Sequence, residues 1–429
     1  MAGVPRGARI VSDSVGSRGS VLEVANGNRA SAELREEIAS AEAGFAASAA
    51  RIRLLFLIGG VGPGGAERQA VHLLEHLPSR GIAACLACYG GCENDLRRVA
   101  RAGVPIEFLY PRGGRFWPLA MLGALEGIVR RRRIGLVQAF LPAFDILAPC
   151  LRLRRPSLRV VTSRRNIDEQ LSRRDVTLLR VTGRWANAVV GNSRAVVESV
   201  LRLEGPAEAR MHCIPNGLHL PPAVTPGERA AARAAYDLPS EAFVVSYPAH
   251  FRRGKGHDHL PAALCAWMGA VPSAVLVLAG ATETNAAYRV TARRLREALE
   301  ASGLSERVRW AGVVSDMRAL MAASDATLNL SDFEGMSNSI MESMAHGVPV
   351  VATRTGGAAE LMRDGVEGWL VDPGDAESAA RRLVELATDP GARALMGERA
   401  RARMGDEFSV ARMVDRHVDL YRRLAGEIQ

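Results

Sequence analysis

From Arg51 onward, short apolar runs rich in β-branched residues alternate with amphipathic segments of helical length. The first series runs "IRLLFLI", "IAACLACY", "IEFLY", "GLVQAF", "RVVTS" and "AVVGNS"; the second runs "FVVSYPA", "AVLVLAG", "RVRWAG", "ATLNLS", "VPVVAT" and "GWLV". Apolar runs of strand length separated by helical patterns predict βα units and parallel sheets. The stretch "IPNGLHLPPAVTPGERA" between the series, with its prolines, glycines and polar residues, reads as a linker. The fold expected is α/β: two doubly wound, Rossmann-like domains, 51–222 and 223–405, facing across a cleft. The pattern is helical again from about Ala376 to Ala425, and the last segment, 406–429, is expected to pack back toward the N-terminal domain. In such sheets ligands bind outside the carboxyl ends of the strands, so the cleft is where an active site is expected. Residues 1–50 are small, polar and weakly patterned, and read as a largely disordered extension with one short helix around 31–48.

Charge is unevenly spread. The net charge is +9, yet residues 51–222 carry 26 basic and 13 acidic groups, net +13, against −1 for 1–50 and −3 for 223–429. Clusters stand at Arg130–Arg133, Arg152–Arg155, Arg164–Arg165 and Arg173–Arg174. A one-sided excess suits an anionic partner such as a membrane surface or a phosphate-bearing substrate; a solvated basic face is the plain alternative. Aromatic residues are 5% of the chain and do not interleave with the arginines, which argues against base stacking and nucleic acid. No apolar stretch reaches bilayer length and no signal-peptide pattern opens the chain, so a cytoplasmic protein, peripheral on the membrane at most, is expected. The six cysteines are scattered; Cys85 and Cys88 fall in a strand-like run and read as core. "HDH" at 257–259 resembles a metal cluster but has poor spacing for one site, and is expected at the surface.

Two glycine-rich elements carry candidate chemistry. In "LIGGVGPGGAERQA", Gly60, Gly62 and Gly65 satisfy G-x-G-x-x-G, which raises a nucleotide-dependent oxidoreductase. That reading requires an acid at the end of the next strand for the ribose; here the strand ends "LACYGG". The loop otherwise suits backbone amides and a helix N-terminus meeting phosphate or sugar, or a tight turn. In "SDFEGMSNSIMESMAHGVPVVAT", a loop carries Glu334 and Gly335, and a helix begins near Ser337 or Asn338. Glu342 follows Glu334 by eight positions, one carboxylate in the loop and the other inside the helix, where a capping box with Ser339 is the alternative.

A third feature is a matter of usage. Of 55 basic residues, only Lys255 is a lysine, in "PAHFRRGKGHD". Lysine is a compact point charge and arginine a planar fork, so the two are not interchangeable where geometry matters.

Glu334-Gly335-Met336-Ser337 with Glu342 resembles the E-x7-E signature of the retaining, GT-B-fold glycosyltransferases of family 4 (group 1). "GGAER", "SRRN", "NSRAV", "IPNG", "RRGKGHD" and "TRTGGAAELMRDGVEGWLV" match the family in order and place over roughly 51–405. The resemblance implies that Lys255 and Glu334 are catalytic, Lys255 stabilising the donor diphosphate and Glu334 holding the donor sugar. It implies that Gly335, Met336, Ser337 and Asn338 present amides to phosphate and sugar, that Glu342 binds the ribose, and that Gly64 and Gly65 approach from the N-terminal, acceptor-binding domain. The family has an arginine where His250 stands, a second cation on the diphosphate; the donor-binding role there falls to Arg252 or Arg253, or to His250 itself as a weaker, pH-dependent donor. The family also has a histidine where Phe140 stands. No Asp-x-Asp motif lies near these elements, so no metal and no cofactor beyond the nucleotide-sugar substrate is expected. The function implied is transfer from a UDP- or GDP-sugar to a glycan or lipid-linked acceptor in envelope or exopolysaccharide assembly. A degenerate nucleotide-sugar-binding scaffold is the non-enzymatic alternative.

Overall fold

The computed structural model describes residues 30–62, 64–110, 117–167, 171–314 and 316–426. The chain forms two compact units, one of Met1–Gly217 with Val410–Gln429 and one of Leu218–Ser409. The first unit is built on seven strands: β1 (Ile52–Leu57), β2 (Ile82–Cys88), β3 (Ile106–Phe108), β4 (Leu136–Ala139), β5 (Arg159–Arg164), β6 (Ala188–Gly191) and β7 (Met211–Cys213). Their order is 3-2-1-4-5-6-7, and every pairing is parallel. The second unit holds β8 (Phe243–Pro248), β9 (Ala274–Ala279), β10 (Val308–Gly312), β11 (Ala326–Asn329), β12 (Val350–Thr353) and β13 (Gly368–Val371). Their order is 10-9-8-11-12-13, again all parallel. Central strands such as β2 and β9 are buried at every residue, because helices cover both faces of each sheet. That is why these strands read as continuous apolar runs rather than alternating ones.

In each sheet the strand order reverses once, between β1 and β4 in the first and between β8 and β11 in the second. Connections on the two sides of a reversal run to opposite faces, so the loops leaving the carboxyl ends there part and leave a crevice. In the second sheet the reversal is held by a buried polar pair, Ser246 Oγ to Thr327 Oγ1 at 2.9 Å. The loops that follow β8 and β11 carry Lys255 and Glu334.

Other sequence expectations change in detail, while the short helix expected around 31–48 is present as Ala32–Ala47, capped by Ser31 and burying Leu34, Ala41 and Phe45. It is tied to its unit by the guanidinium of Arg53, which stacks 4.3 Å over the Phe45 ring. The disorder expected of residues 1–29 lies outside the described residues. The linker is shorter than its composition indicates, since Thr225 and Glu228 form a capping box that opens the helix Pro226–Ala235. Finally, β7 is a strand of three residues, "MHC", too short for a pattern to reveal. The helix Val410–Ala425 returns to the first unit, where Met413, Val414, Val418 and Tyr421 join the core that holds Leu54 and Phe56.

The basic clusters also divide. Arg164 is internal, 2% exposed, with Asp145 at 2.9 Å and Glu204 at 2.7 Å. Arg132 is held by Glu42 and Glu107, at 2.7 and 2.8 Å. One member of each of these two clusters is therefore structural rather than part of a free positive face.

Candidate active site

The loop after β8 is shaped by glycines on either side of the lysine. Gly254 and Gly256 have φ of 81° and 72°, values an L side chain rarely adopts. A Cβ on Gly256 would stand 2.0 Å from the Leu330 carbonyl oxygen, and one on Gly254 would stand 2.2 Å from the Phe333 ring. The two loops are in backbone contact: the Asp332 N–H donates to the Gly254 carbonyl at 3.0 Å. Buried Tyr247 fastens them from below, its hydroxyl donating to the Lys255 carbonyl and accepting from the Leu330 N–H at 3.3 Å. Lys255 thus stands on a loop that cannot shift without moving the loop after β11.

Across the crevice, Lys255 Nζ pairs with Glu334 Oε1, with side-chain exposures of 17% and 8%. The Ser331 hydroxyl donates to the same carboxylate oxygen at 3.1 Å. The segment after β12 supports this loop from the other side. Gly356, at φ 52°, lets the chain approach so closely that a Cβ would fall 1.7 Å from the Glu334 carbonyl oxygen. The Gly357 N–H donates to the Gly335 carbonyl at 2.7 Å, and the Thr355 hydroxyl donates to the Ser331 carbonyl at 3.0 Å. Met336 and Ser337 are buried, and the helix Asn338–Ala345 begins directly after them. Its N-cap, Ser337, makes no side-chain cap bond; the hydroxyl instead meets Ser339 at 3.1 Å. Glu342 is in the second turn and 8% exposed. A cation and a helix N-terminus at one crevice favour a bound anion.

The other candidates of the loop after β8 have contacts of their own. His250 Nδ1 accepts from the Ala281 N–H at 3.1 Å, so that nitrogen bears no proton in this arrangement. The Arg252 carbonyl accepts from the Lys255 N–H at 3.2 Å, while Arg253 is exposed. His257 corrects the surface expectation for "HDH": it is 3% exposed, stacked on Phe251 at 4.1 Å and edge-on to Tyr247 at 5.3 Å. Neither ring nitrogen completes a hydrogen bond, and burial, aided by Lys255, pushes its pKa down to about 4. His259 instead meets Asp332 at 2.7 Å. Among the described residues no cluster of three or more His, Cys, Asp or Glu forms a candidate metal site.

Gly64 and Gly65 lie in the other unit. Gly64 caps the helix Gly65–His76, and a Cβ there would strike the Glu67 carboxylate at 2.1 Å. The rest of that glycine-rich loop interlocks with the loop after β2. The Val61 N–H donates to the Gly90 carbonyl at 3.2 Å and the Cys92 N–H to the Val61 carbonyl at 2.8 Å. A Cβ on Gly91 would stand 2.3 Å from the Val61 oxygen. Here the glycines serve contact between loops, and the Val61 amide is already used.

Sequence reading missed Tyr247, Ser331 and the supporting glycines as parts of the site. Only the glycines flanking Lys255 were visible in advance, as the "GKG" triplet.

The comparisons with known proteins concern family and fold. The family model described as "Glycosyltransferase Family 4" matches residues 63–220, and the model described as "Glycosyl transferases group 1" matches residues 242–389. With the paired parallel sheets, these matches place the chain among the glycosyltransferases of GT-B fold. Among similar proteins, the lipopolysaccharide core biosynthesis glycosyltransferase LpsE of Rhizobium meliloti is 28% identical over 357 residues, covering 83% of this chain and 95% of that one. The putative glycosyltransferase EpsD of Bacillus subtilis is 30% identical over 198 residues, 46% of this chain and 50% of that one. Of the solved structures, HepE of Anabaena with UDP and glucose superposes with a TM-score of 0.77 at 23% identity, covering 87% of this chain and all of that one. The lipopolysaccharide biosynthesis glycosyltransferase WaaG superposes at 0.66 with 15% identity, covering 86% and 99%.

Proposed function

We propose that the chain is a retaining hexosyltransferase that moves a sugar from a nucleotide-sugar donor to a glycan or lipid-linked acceptor in cell-envelope or exopolysaccharide assembly, without a metal. The observation that carries this is the Lys255–Glu334 pair at the strand-order reversal of the second sheet, ahead of the helix Asn338–Ala345. On donor binding the pair exchanges partners. Lys255 turns to the diphosphate, where its charge and the amides at Met336, Ser337 and Asn338 stabilise the leaving oxygen. Glu334, relieved of the lysine, accepts hydrogen bonds from the sugar hydroxyls, and Glu342 holds the ribose. The departing phosphate takes the acceptor's proton on the face it leaves, which retains configuration. Arg252 or Arg253, on the same loop, adds a second cation, with His250 as a weaker contributor to donor binding. Gly64 and Gly65 belong to the unit that receives the acceptor. Similarity to the lipopolysaccharide core glycosyltransferase LpsE supports an envelope product, and the UDP bound to HepE supports a uridine donor.

The test is incubation with a panel of labelled nucleotide sugars and a membrane lipid extract, followed by anomeric analysis of any product. Transfer with the donor's configuration kept is expected; an inverted linkage refutes the mechanism. A scaffold that binds nucleotide sugar without transferring it is favoured by one observation, the engagement of His250 Nδ1 by the Ala281 amide. It predicts UDP binding with no transfer from any donor. Association with anionic lipid rests on the remaining exposed arginines of the first unit, such as Arg173 and Arg174. No helix among the described residues is long and apolar enough to cross a membrane. Salt-sensitive sedimentation with anionic liposomes is expected, and its absence removes that clause alone.

A further inference from the structure

Two adjacent arginines of the first unit are buried in opposite ways. Arg164, the last residue of β5, has two acids: Nε and Nη2 donate to Glu204 at 2.7 Å each, and Nη1 meets Asp145 at 2.9 Å. That is how a buried guanidinium is satisfied by the protein itself. Arg165, the next residue, sits over the Phe140 ring with its guanidinium carbon 3.9 Å from the centroid, and donates one side-chain bond, from Nη1 to Asn216 Oδ1 at 3.0 Å. Its Nε and Nη2 are enclosed and have no hydrogen-bond partner. Unpaired buried donors on a charged group cost several kcal/mol, and a natural core rarely leaves them so without a ligand or water.

The position is one where a ligand is expected. Phe140, Arg165, Asn192 and Asn216 follow the carboxyl ends of β4, β5, β6 and β7, and the Asn192 side chain fixes the Arg165 backbone by donating to its carbonyl at 3.1 Å. Asp145, the nearby acid, is already engaged by Arg164. Burial pulls the Arg165 pKa down to about 9 despite Asp145. The returning helix closes the cluster, with Tyr421 donating to Gln138 at 3.1 Å and His417 bound through Nδ1 to the Met413 carbonyl at 2.9 Å. That carbonyl can only accept, so His417 Nδ1 is the donor and its unpartnered Nε2 is an acceptor. Burial lowers the pKa of this histidine, and the charge of Arg165 lowers it further.

We infer that Arg165, seated on Phe140, is an oxyanion-binding subsite of the first unit that takes a phosphate or carboxylate group carried by the acceptor. A planar guanidinium with two adjacent free N–H groups matches two oxygens of such a group. The inference rests on the reading of this unit as the acceptor unit, and it adds that the acceptor is anionic at the recognised position.

The test is calorimetric titration of the full chain with inorganic phosphate and, separately, acetate, with the donor site saturated by UDP and ionic strength held constant. Binding of phosphate alone, of acetate alone or of both identifies the oxyanion and supports the subsite. Arg165→Gln is expected to weaken that binding at least tenfold while UDP binding stays as in the wild type. Phe140→Leu, which keeps an apolar contact but removes the ring beneath the guanidinium, is expected to weaken it about threefold and serves if Arg165→Gln does not fold. A wild type that binds neither anion, or either variant folded and binding the anion like the wild type, overturns the inference. A chain that fails to bind UDP counts instead against the glycosyltransferase mechanism, and the anion titration still reads Arg165.

Discussion

The carboxyl rims of the two sheets have the same topology and similar glycine content, yet they spend their glycines differently. In the first unit, Gly91 brings the loops after β1 and β2 into contact around Val61, whose N–H and C=O are both consumed. In the second, Gly254, Gly256 and Gly356 bring three loops together so that one lysine and one glutamate meet at the strand-order reversal. A glycine pattern alone does not distinguish these uses. "GVGPGG" satisfies a dinucleotide fingerprint and builds a joint between loops, while "GKG" matches no such fingerprint and holds the charged pair. What separates them is whether a charged side chain stands between the glycines, with its backbone pinned by neighbours and its head group left at the crevice.

Exchanging glycines tests that contrast most severely. Gly256→Ala adds a Cβ against the Leu330 carbonyl at a positive φ, and is expected to destabilise the second unit by about 3 kcal/mol and to abolish detectable UDP binding. Gly91→Ala meets the Val61 carbonyl and is expected to cost about 2 kcal/mol, with UDP affinity unchanged. Urea unfolding with parallel calorimetry reads both. Equal loss of UDP binding in the two variants would erase the distinction.

The aromatic support beneath the lysine loop should show in the pH dependence. His257 is held neutral in the fold down to about pH 4, whereas an unfolded chain takes its proton near 6.5. Its contribution is complete above 6.5 and is lost as pH falls toward 4. Between pH 6.5 and 5 the loss amounts to about 2 kcal/mol. His257→Phe, which keeps a ring between Phe251 and Tyr247, is expected to remove that share of the acid sensitivity in urea unfolding. His417, pushed down to about 3 in the first unit, leaves a dependence of its own in that variant.

The smallest of these effects concerns the choice of cation. Lys255→Arg is expected to reduce sugar transfer at least tenfold, about 1.4 kcal/mol in the barrier. A planar fork placed between two positive-φ glycines cannot present the same point charge. In a chain with 54 arginines, wild-type transfer rates in this variant would make the lone lysine an accident of codon usage.

The sheets were largely legible because strands buried on both faces leave continuous apolar runs; twelve of the thirteen appear as the quoted segments. The exception, β7, is an edge strand of three residues held mainly by pairing with β6, and pairing leaves no pattern in sequence. Lys255, Glu334 and the start of the following helix could be read from spacing and from the rarity of lysine. Their supports could not. Tyr247 acts through a hydroxyl reaching across two loops, and His257 looked like surface because nothing in "HDH" reveals the Phe251 ring stacked on it or the Tyr247 ring that meets it edge-on. The pairing of Arg164 beside the incomplete pairing of Arg165 was likewise invisible, since both read as one basic cluster.

The central claim is that the Lys255–Glu334 pair is the diphosphate and sugar end of a nucleotide-sugar site, closed on itself until a donor arrives. Calorimetric titration of UDP into the wild type, Lys255→Ala and Glu334→Ala tests this most directly. The account predicts at least tenfold weaker UDP binding for Lys255→Ala. It predicts binding at least as tight as the wild type for Glu334→Ala, because the carboxylate that competes for the lysine is gone. Lys255→Ala binding UDP like the wild type would contradict it.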